Sequence, residues 1–132
     1  MKISIITVCY NSESTIEDTI RSIKNQTYKD IEYIIIDGNS KDSTLDIVKR
    51  FPDVVTKFIS EPDNGLYDAM NKGIDLATGD VIGILNSDDL FCDESAIQQV
   101  MSIFDKEDLD SVYADIYYVQ QDDTNKIVRT WT

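Results

Sequence analysis

Residues 3–9 read Ile-Ser-Ile-Ile-Thr-Val-Cys, a β-branched and almost continuously apolar run. This composition is typical of a strand that is buried on both faces of a parallel sheet. A second run of this kind covers residues 31–36, and shorter ones lie at residues 54–59 and 81–85. Helical patterns separate these four runs. The order therefore predicts an α/β fold, with a mainly parallel sheet flanked by helices on both faces.

The helices are predicted at about residues 14–26, 42–51, 66–78 and 93–104, and two later strands at residues 111–119 and 126–131, around a turn at 121–125. Ser14 and Glu17 match a capping box at the start of the first helix. In the third helix Leu66, Met70 and Ile74 share one face, which we expect to be buried.

Composition and charge limit the possible functions. The chain has 132 residues, enough for one domain, with 12 basic and 25 acidic residues and a net charge of −13. A chain this acidic lacks the basic surface that binding to nucleic acid or to anionic lipid requires. Histidine is absent, which excludes a Ser-His-Asp triad and a histidine metal site. No run approaches the ~20 apolar residues of a membrane span, so we expect a cytoplasmic chain with two unpaired cysteines.

Polar side chains gather where the predicted strands end. They are Tyr10 and Asn11 after the first strand, Asp37 after the second, and Asn86, Asp88 and Asp89 after the fourth. The carboxyl ends of parallel strands lie at one edge of a sheet, and α/β proteins bind their ligands there. We therefore expect these side chains to meet in one site.

The adjacent carboxylates Asp88 and Asp89 suit Mg²⁺, which takes one or two carboxylates together with waters and substrate phosphates. The structural alternative is a loop start that caps the next helix. Asp37 can accept a hydrogen bond from a ribose hydroxyl or a base N–H, or it can form an Asx turn at Gly38. Tyr10 offers an aromatic face on which a base can stack, or it is a core tyrosine.

A glycine-rich phosphate loop of the usual kinds is missing from the sequence. None of the five glycines forms G-x-G-x-x-G or G-x-x-x-x-G-K-[ST]. Lys72 and the backbone near Gly65 are therefore the candidates for contacting a diphosphate. A solvated lysine on a helix is the alternative for Lys72.

Several ordered stretches carry a family resemblance. They are residues 3–11, 22–28, 36–44, 61–73, 77–80 and 85–89, the last three reading EPDNGLYDAMNKG, ATGD and LNSDD. Together they resemble the nucleotide-binding half of family 2 glycosyltransferases, which have the Rossmann-like GT-A fold. The resemblance covers about residues 2–93, and beyond them it rests on Tyr113-Ala114-Asp115.

The resemblance implies that a sugar moves from a nucleotide diphosphate donor to an acceptor hydroxyl, usually with inversion and with Mg²⁺ or Mn²⁺. A UDP-sugar is favoured as donor, with a glycan or a lipid-linked acceptor, in polysaccharide or glycoconjugate synthesis. By similarity, Tyr10 and Asp37 hold the base. Asp88 meets the ribose or the sugar, and Asp89 binds the metal.

The sequence departs from the family pattern in three ways. Asn86 replaces the first aspartate of the usual Asp-x-Asp metal motif, and Met70 stands where many members have arginine. Members are also usually much longer, and their acceptor site and catalytic base follow the metal motif. We therefore expect residues 1–132 to be one truncated donor-binding domain without the acceptor-binding part. The base stays unassigned, since Asp115 is a poor substitute, and exposed apolar surface could favour a homodimer.

Other function classes fit the sequence less well. A receiver domain needs an acidic pair after strand 1 and an acceptor aspartate after strand 3, where this chain has Tyr10-Asn11 and Ser60-Glu61. A nucleotidyltransferase usually has a loop rich in glycine and arginine after strand 1, and residues 11–14 are not such a loop. A non-catalytic nucleotide-binding module of the same fold stays open as an alternative.

Overall fold

The computed structural model describes residues 1–91, 93–107, 116–120 and 123–131. The chain divides into two compact units, Met1–Gln98 and Gln99–Thr132. The strands are β1 (Ile3–Cys9), β2 (Ile31–Asp37), β3 (Lys57–Ser60), β4 (Val81–Ile84), β5 (Ile116–Gln120) and β6 (Asp123–Trp131). The helices are α1 (Ile16–Lys24), α2 (Thr44–Val48), α3 (Leu66–Leu76) and α4 (Ala96–Glu107).

The first unit contains a four-stranded sheet in the order β3-β2-β1-β4, and every pair in it is parallel. Each of the first three strands is followed by a helix, which returns the chain to the amino end of the next strand of this sheet. The two central strands are buried along both faces, as their apolar runs predict. The predicted α/β fold, with a parallel sheet flanked by helices, is confirmed.

One face of the sheet packs against α3. Ile6 of β1 and Ile34 and Ile36 of β2 form a fully buried cluster with Ala69 of α3. On the opposite face, the hydroxyl of the buried Tyr33 donates a hydrogen bond to Thr7 Oγ1 at 2.8 Å. The polar atom of this large core residue is therefore satisfied inside the fold.

The buried face of α3 is not the predicted one. Leu66 and Ile74 are 52% and 44% exposed, and the buried residues of this helix are Ala69 and Gly73. A Cβ atom at Gly73 would lie 2.5 Å from Ile6 Cγ2. The small side chains let α3 approach β1 closely, so close backbone packing overrides the more hydrophobic stripe.

The start of α1 also differs from the prediction. Its N-cap is Thr15, one residue after the predicted Ser14, and no side chain makes a capping hydrogen bond there. The N–H of Ile16 bonds instead to the carbonyl oxygen of Ser12 at 2.9 Å. A backbone hydrogen bond to the preceding turn therefore takes the place of the predicted capping box at the start of α1.

β3 begins at Lys57, three residues later than predicted. The N–H groups of Val54 and Val55 bond to the carbonyl oxygen of Phe51, which holds them in a turn after α2. An apolar β-branched pair therefore does not join the sheet, because its donors are already used.

The second unit contains β5 and β6, which pair antiparallel. β6 begins at Asp123, inside the predicted turn, so the prediction placed the start of this strand too late. The predicted strand residues 111–115, and with them Asp115, lie outside the described residues. In the described part of the chain, no helix combines the length and apolar character that crossing a bilayer requires.

A buried carboxylate joins the elements at the amino edge of the sheet. Glu32 Oε1 accepts hydrogen bonds from Ser4 Oγ and the Thr78 N–H, both at 2.8 Å. Glu32 Oε2 accepts from Thr78 Oγ1 at 2.8 Å and pairs with Lys57 Nζ at 3.1 Å. Burial favours the neutral acid, but the bonds from Thr78, Ser4 and Lys57 outweigh it and lower the pKa of Glu32 to about 2.

Candidate functional site

A cavity of about 590 Å³ opens at the carboxyl ends of β1, β2 and β3. Its volume lies in the range of small-ligand pockets, roughly 300–1,000 Å³. The lining residues are Val8, Cys9, Tyr10, Gly38, Asn39, Lys41, Pro62, Asp63, Gly65, Leu66 and Ala69. Tyr10 is 60% exposed, so its ring is open to a planar partner. The predicted site at this edge of the sheet therefore contains a real cavity, with Tyr10 in its wall.

Asp37 does not line this cavity. Its side chain is completely buried, and Oδ2 accepts the N–H of Ser40 and the hydroxyl of Ser60, each at 2.8 Å. Oδ1 accepts the hydroxyl of Ser40 and the thiol of Cys9, the latter at 3.3 Å. Burial first, and then the Asp37 carboxylate, raise the pKa of Cys9, which keeps the thiol protonated. Asp37 thus ties the ends of β1 and β3 to the loop after β2, and its predicted contact with a base stays a prediction.

Asn11 joins the loops after β1 and β2. Its φ of 47° is in the left-handed region, which asparagine tolerates better than most residues. In this conformation its N–H donates to Ser40 Oγ and its Oδ1 accepts the N–H of Lys41, both at 2.8 Å. The structure therefore gives Asn11 a shaping role at the site, and its predicted nucleotide contact stays a prediction.

The carboxylate pair lies at the end of β4, in an exposed loop. The N–H of Asp89 bonds to the carbonyl oxygen of Asn86 at 3.0 Å. Partial burial and the charge of Asp88 raise the pKa of Asp89. A hydrogen bond from the Asn86 side chain lowers this pKa but does not cancel the increase. A cation bound beside both carboxylates would offset the repulsion between their negative charges.

The donor set fits a hard divalent ion that keeps part of its hydration shell. No group of three or more His, Cys, Asp and Glu side chains suited to a metal occurs among the described residues. Asp88 and Asp89, with the amide oxygen of Asn86, could hold Mg²⁺ or Mn²⁺ if water or ligand oxygens complete the shell. A site for Zn²⁺ would need more ligands from the protein.

α1 holds the loop that carries this pair. Thr19 Oγ1 lies 2.9 Å from the carbonyl oxygen of Ser87 and 2.6 Å from that of Asp89. Ser12 Oγ lies 3.0 Å from Ser87 Oγ, which links the same loop to the end of β1. Thr19 was not predicted as a site residue, although a polar residue within the buried stripe of an amphipathic helix was the available signal.

Lys72 is paired with carboxylates of its own neighbourhood. Its Nζ lies 2.7 Å from Asp63 Oδ1, 3.0 Å from Glu61 Oε1 and 3.7 Å from Asp68 Oδ2. The hydrogen bond to Asp63 is the main cause that raises the pKa of Lys72. Lys72 is thus neither freely solvated nor unpaired, and a contact with phosphate stays a prediction. Asp63 was not predicted as a site residue. The available signal was its place shortly after β3, similar to that of Asp37 after the apolar run of β2.

Sequence relatives of the chain are named glycosyltransferases. A "PGL/p-HBAD biosynthesis glycosyltransferase" of Mycobacterium bovis strain BCG is 38% identical over 117 residues, which are 86% of this chain and 46% of the relative. The "putative glycosyltransferase EpsH" of Bacillus subtilis is 32% identical over 109 residues, 81% of this chain and 32% of the relative. The chain thus spans less than half the length of these curated relatives.

Similar folds occur in solved structures. S. aureus TarS 1-349 in complex with UDP-GlcNAc has a TM-score of 0.77 at 24% identity, over 82% of this chain and 32% of TarS 1-349. The mannosyltransferase PcManGT from Pyrobaculum calidifontis, in complex with GDP-Man and Mn²⁺, has a TM-score of 0.74 at 24% identity, over 80% of this chain and 33% of that one. The resemblance stated from the motifs is confirmed by the model for "Glycosyl transferase family 2", which matches residues 4–132. The chain therefore belongs to glycosyl transferase family 2.

Proposed function

We propose that this chain is the donor-binding part of a glycosyltransferase. It binds a nucleotide diphosphate sugar, with UDP favoured, together with Mg²⁺ or Mn²⁺. The sugar passes to an acceptor hydroxyl with inversion. Residues 1–132 act as one donor-binding domain within a longer protein, as the partial coverage of the relatives suggests.

One observation carries the proposal. A cavity with an open aromatic ring, Tyr10, and an exposed carboxylate pair, Asp88 and Asp89, stand at the same edge of one parallel sheet. A base needs a flat apolar partner, whereas a diphosphate needs a cation. The edge offers both at the ends of strands, where α/β folds bind nucleotides. The family match and the nucleotide-sugar complexes of proteins with this fold support the same proposal.

Each part of the site has a task in the proposed mechanism. Tyr10 stacks on the base, while Asp37 and Asn11 fix the loops that frame the cavity. Asp88 and Asp89 hold the cation, and Thr19 fixes the loop from which they project. When bound, the cation would offset the negative charge that builds on the leaving diphosphate.

The proposal extends to the whole protein. The acceptor is a glycan or a lipid-linked sugar, in polysaccharide or glycoconjugate synthesis. The protein acts in the cytoplasm, at the inner face of the membrane when its acceptor is lipid-linked. A homodimer is part of the proposal, since Tyr67 and Leu66 leave apolar surface exposed beside the cavity.

The test is a calorimetric titration of UDP into the chain, with and without Mn²⁺, for the wild type, Asp89→Ala and Asp53→Ala. Asp53 is an exposed acid outside the site, so Asp53→Ala controls for the loss of one negative charge. We expect UDP to bind more tightly with Mn²⁺, and Asp89→Ala to lose this gain while Asp53→Ala keeps it. Circular dichroism checks that each variant is folded. Absence of UDP binding by folded wild type would refute the proposal.

Binding alone does not separate an enzyme from a non-catalytic module of the same fold. Asn86 favours the non-catalytic module, because it would supply one negative charge fewer to a bound cation than an aspartate. Release of the sugar from a UDP-sugar by the full-length protein decides between the two. Nucleotide binding without any sugar release or transfer would support the module.

A further inference from the structure

Asn64 and Gly65 form the kind of dipeptide from which an asparagine side chain most readily loses ammonia. Glycine has no side chain to keep its nitrogen away from the side-chain carbonyl carbon of the preceding asparagine. Both residues are exposed, and Gly65 lies in the wall of the cavity. The pair therefore places a reactive peptide group at the rim of the candidate site.

The backbone nitrogen of Gly65 is accessible for this reaction. Attack requires that the nitrogen lose its proton, which an acceptor bound to the N–H hinders. In the described part of the chain the Gly65 N–H donates no hydrogen bond. Apart from the adjoining residues, no heavy atom lies within 4 Å of the point that a Cβ atom at Gly65 would occupy. Gly65 is also the N-cap of α3, where the helix dipole favours negative charge on the attacking nitrogen.

The fold protects two comparable pairs, Asn11-Ser12 and Asn39-Ser40, in which a small residue also follows an asparagine. The N–H of Ser12 donates to a threonine hydroxyl and the N–H of Ser40 to the Asp37 carboxylate, each at 2.8 Å. Those hydrogen bonds must break before either nitrogen can attack. The structure therefore separates Asn64 from the other two asparagines for a reason that the dipeptide alone does not supply.

We propose that Asn64 is a site of spontaneous deamidation, with water as the co-reactant. The nitrogen of Gly65 bonds to Asn64 Cγ, and the side-chain nitrogen leaves as ammonia with the proton that Gly65 gives up. This step forms a succinimide ring, which water then opens. Opening at Cγ gives aspartate, whereas opening at the main-chain carbonyl carbon gives isoaspartate, in which the chain continues through Cγ. An amide is exchanged for a carboxylate, and nothing is oxidised or reduced.

The product changes both the charge and the backbone at the start of α3. The new carboxylate joins Glu61, Asp63 and Asp68, which all contact the ammonium group of Lys72. In isoaspartate the additional main-chain carbon also disturbs the hydrogen bond from the Asn64 N–H to Asp68 Oδ2, which is 2.9 Å in the unmodified chain. The added negative charge beside the cavity opposes the approach of an anionic ligand.

The test measures the rate of conversion at each asparagine, by peptide mass analysis, in the folded chain and in the chain unfolded by urea. The ratio of the folded to the unfolded rate removes the effect of the residue that follows, so it reports the fold alone. We expect a ratio close to one at Asn64 and about tenfold lower at Asn11 and Asn39, because a hydrogen bond must break there before attack. A ratio at Asn64 as low as at Asn39 would overturn the proposal.

Asn64→Gln checks the chemistry of the step. Glutamine keeps the neutral amide but would have to close a larger ring, so we expect loss of ammonia at position 64 to stop while Asn11 and Asn39 react as before. This variant is preferred to Gly65→Ala, because a φ of 106° at Gly65 strains any residue with a Cβ atom. Labelling by an isoaspartyl methyltransferase should detect position 64 in the aged wild type and not in Asn64→Gln. Equal labelling of the two proteins would contradict the succinimide route.

The effect on nucleotide binding is a separate outcome that rests on the proposed function. Asn64→Asp supplies the charge of the product, and Asn25→Asp adds the same charge at an exposed position where α1 ends. In calorimetry we expect UDP affinity to fall several-fold in Asn64→Asp and to stay unchanged in Asn25→Asp. Equal affinities of folded Asn64→Asp and the wild type would overturn this charge effect. Deamidation itself is read without a ligand, so it can stand where UDP binding fails, and the reverse.

Discussion

Replacing Asp37 with alanine should destabilise the fold, in addition to any effect on nucleotide binding. Four donors converge on its two oxygens, and one of them is the buried N–H of Ser40, which cannot turn to another partner. A hydrogen bond to a charged group contributes about 1.5–3 kcal/mol, and a stranded buried donor costs a similar amount. The hydroxyls of Ser40 and Ser60 can rotate and recover part of their loss. We therefore expect the free energy of unfolding to fall by about 3 kcal/mol.

Urea denaturation followed by circular dichroism measures this change. For an m-value of about 2 kcal/mol per molar, a loss of about 3 kcal/mol lowers the midpoint by about 1.5 M. Asp53→Ala removes an exposed carboxylate and should stay within about 0.5 kcal/mol of the wild type. A midpoint for Asp37→Ala within about 0.3 M of the wild type would show that Asp37 does not hold the ends of β1 and β3 and the loop after β2 together.

Three further changes test the packing, the pH dependence and the cation loop. Gly73→Ala should destabilise by about 1–3 kcal/mol despite the better helix propensity of alanine, and Ile6→Ala should relieve part of this loss in a double-mutant cycle by urea unfolding. Glu32→Gln should destabilise most at neutral pH. The pKa of Glu32 is about 2 in the folded chain and 4.5 in the unfolded chain, so the unfolded chain takes up a proton first as the pH falls, and the stabilising effect of the carboxylate is lost between these values. Thermal unfolding of the wild type and Glu32→Gln measures this effect. A stability difference between the two proteins that stays constant from pH 7 to pH 3 would contradict it. Thr19→Val should weaken Mn²⁺-dependent UDP binding about 3–10-fold and leave uridine binding without metal unchanged in calorimetry.

The sequence was enough to predict the two central strands of the sheet, because β1 and β2 are long apolar runs whose burial on both faces fixes their type. The buried face of α3 was harder to predict. Hydrophobicity favoured Leu66 and Ile74, but contact with the sheet is made by Ala69 and Gly73. Which stripe of a helix faces a sheet depends on how closely the two backbones approach, and a short helix with apolar residues on two sides does not encode that distance locally.

In the candidate site, too, the sequence pattern does not predict which single residue borders the cavity. The strand-end rule predicts a site at the edge of the sheet where the cavity opens, since it needs only the order of the elements. It could not tell that Asp37 is buried within the fold whereas Asp63 lines the cavity, because this difference depends on where β2 ends. The apolar run predicts Asp37 as the first residue beyond the strand, yet Asp37 pairs with Cys9 as the last residue within it.

A side chain inside a strand still points to one face of the sheet, where helices and loops cover it. A side chain beyond the strand can border the open edge instead. Asp37 is within β2, so its buried side chain bonds to other parts of the protein. Asp63 lies three residues after β3 and forms part of the cavity wall. The chain segments that Asp37 joins lead directly into the loops that carry Tyr10, Gly38 and Asp63. A change at Asp37 should therefore weaken nucleotide binding through the shape of the cavity. Measuring both the stability of Asp37→Ala and its preference for UDP over GDP tests this role, because a direct contact of Asp37 with the base would alter the preference as well.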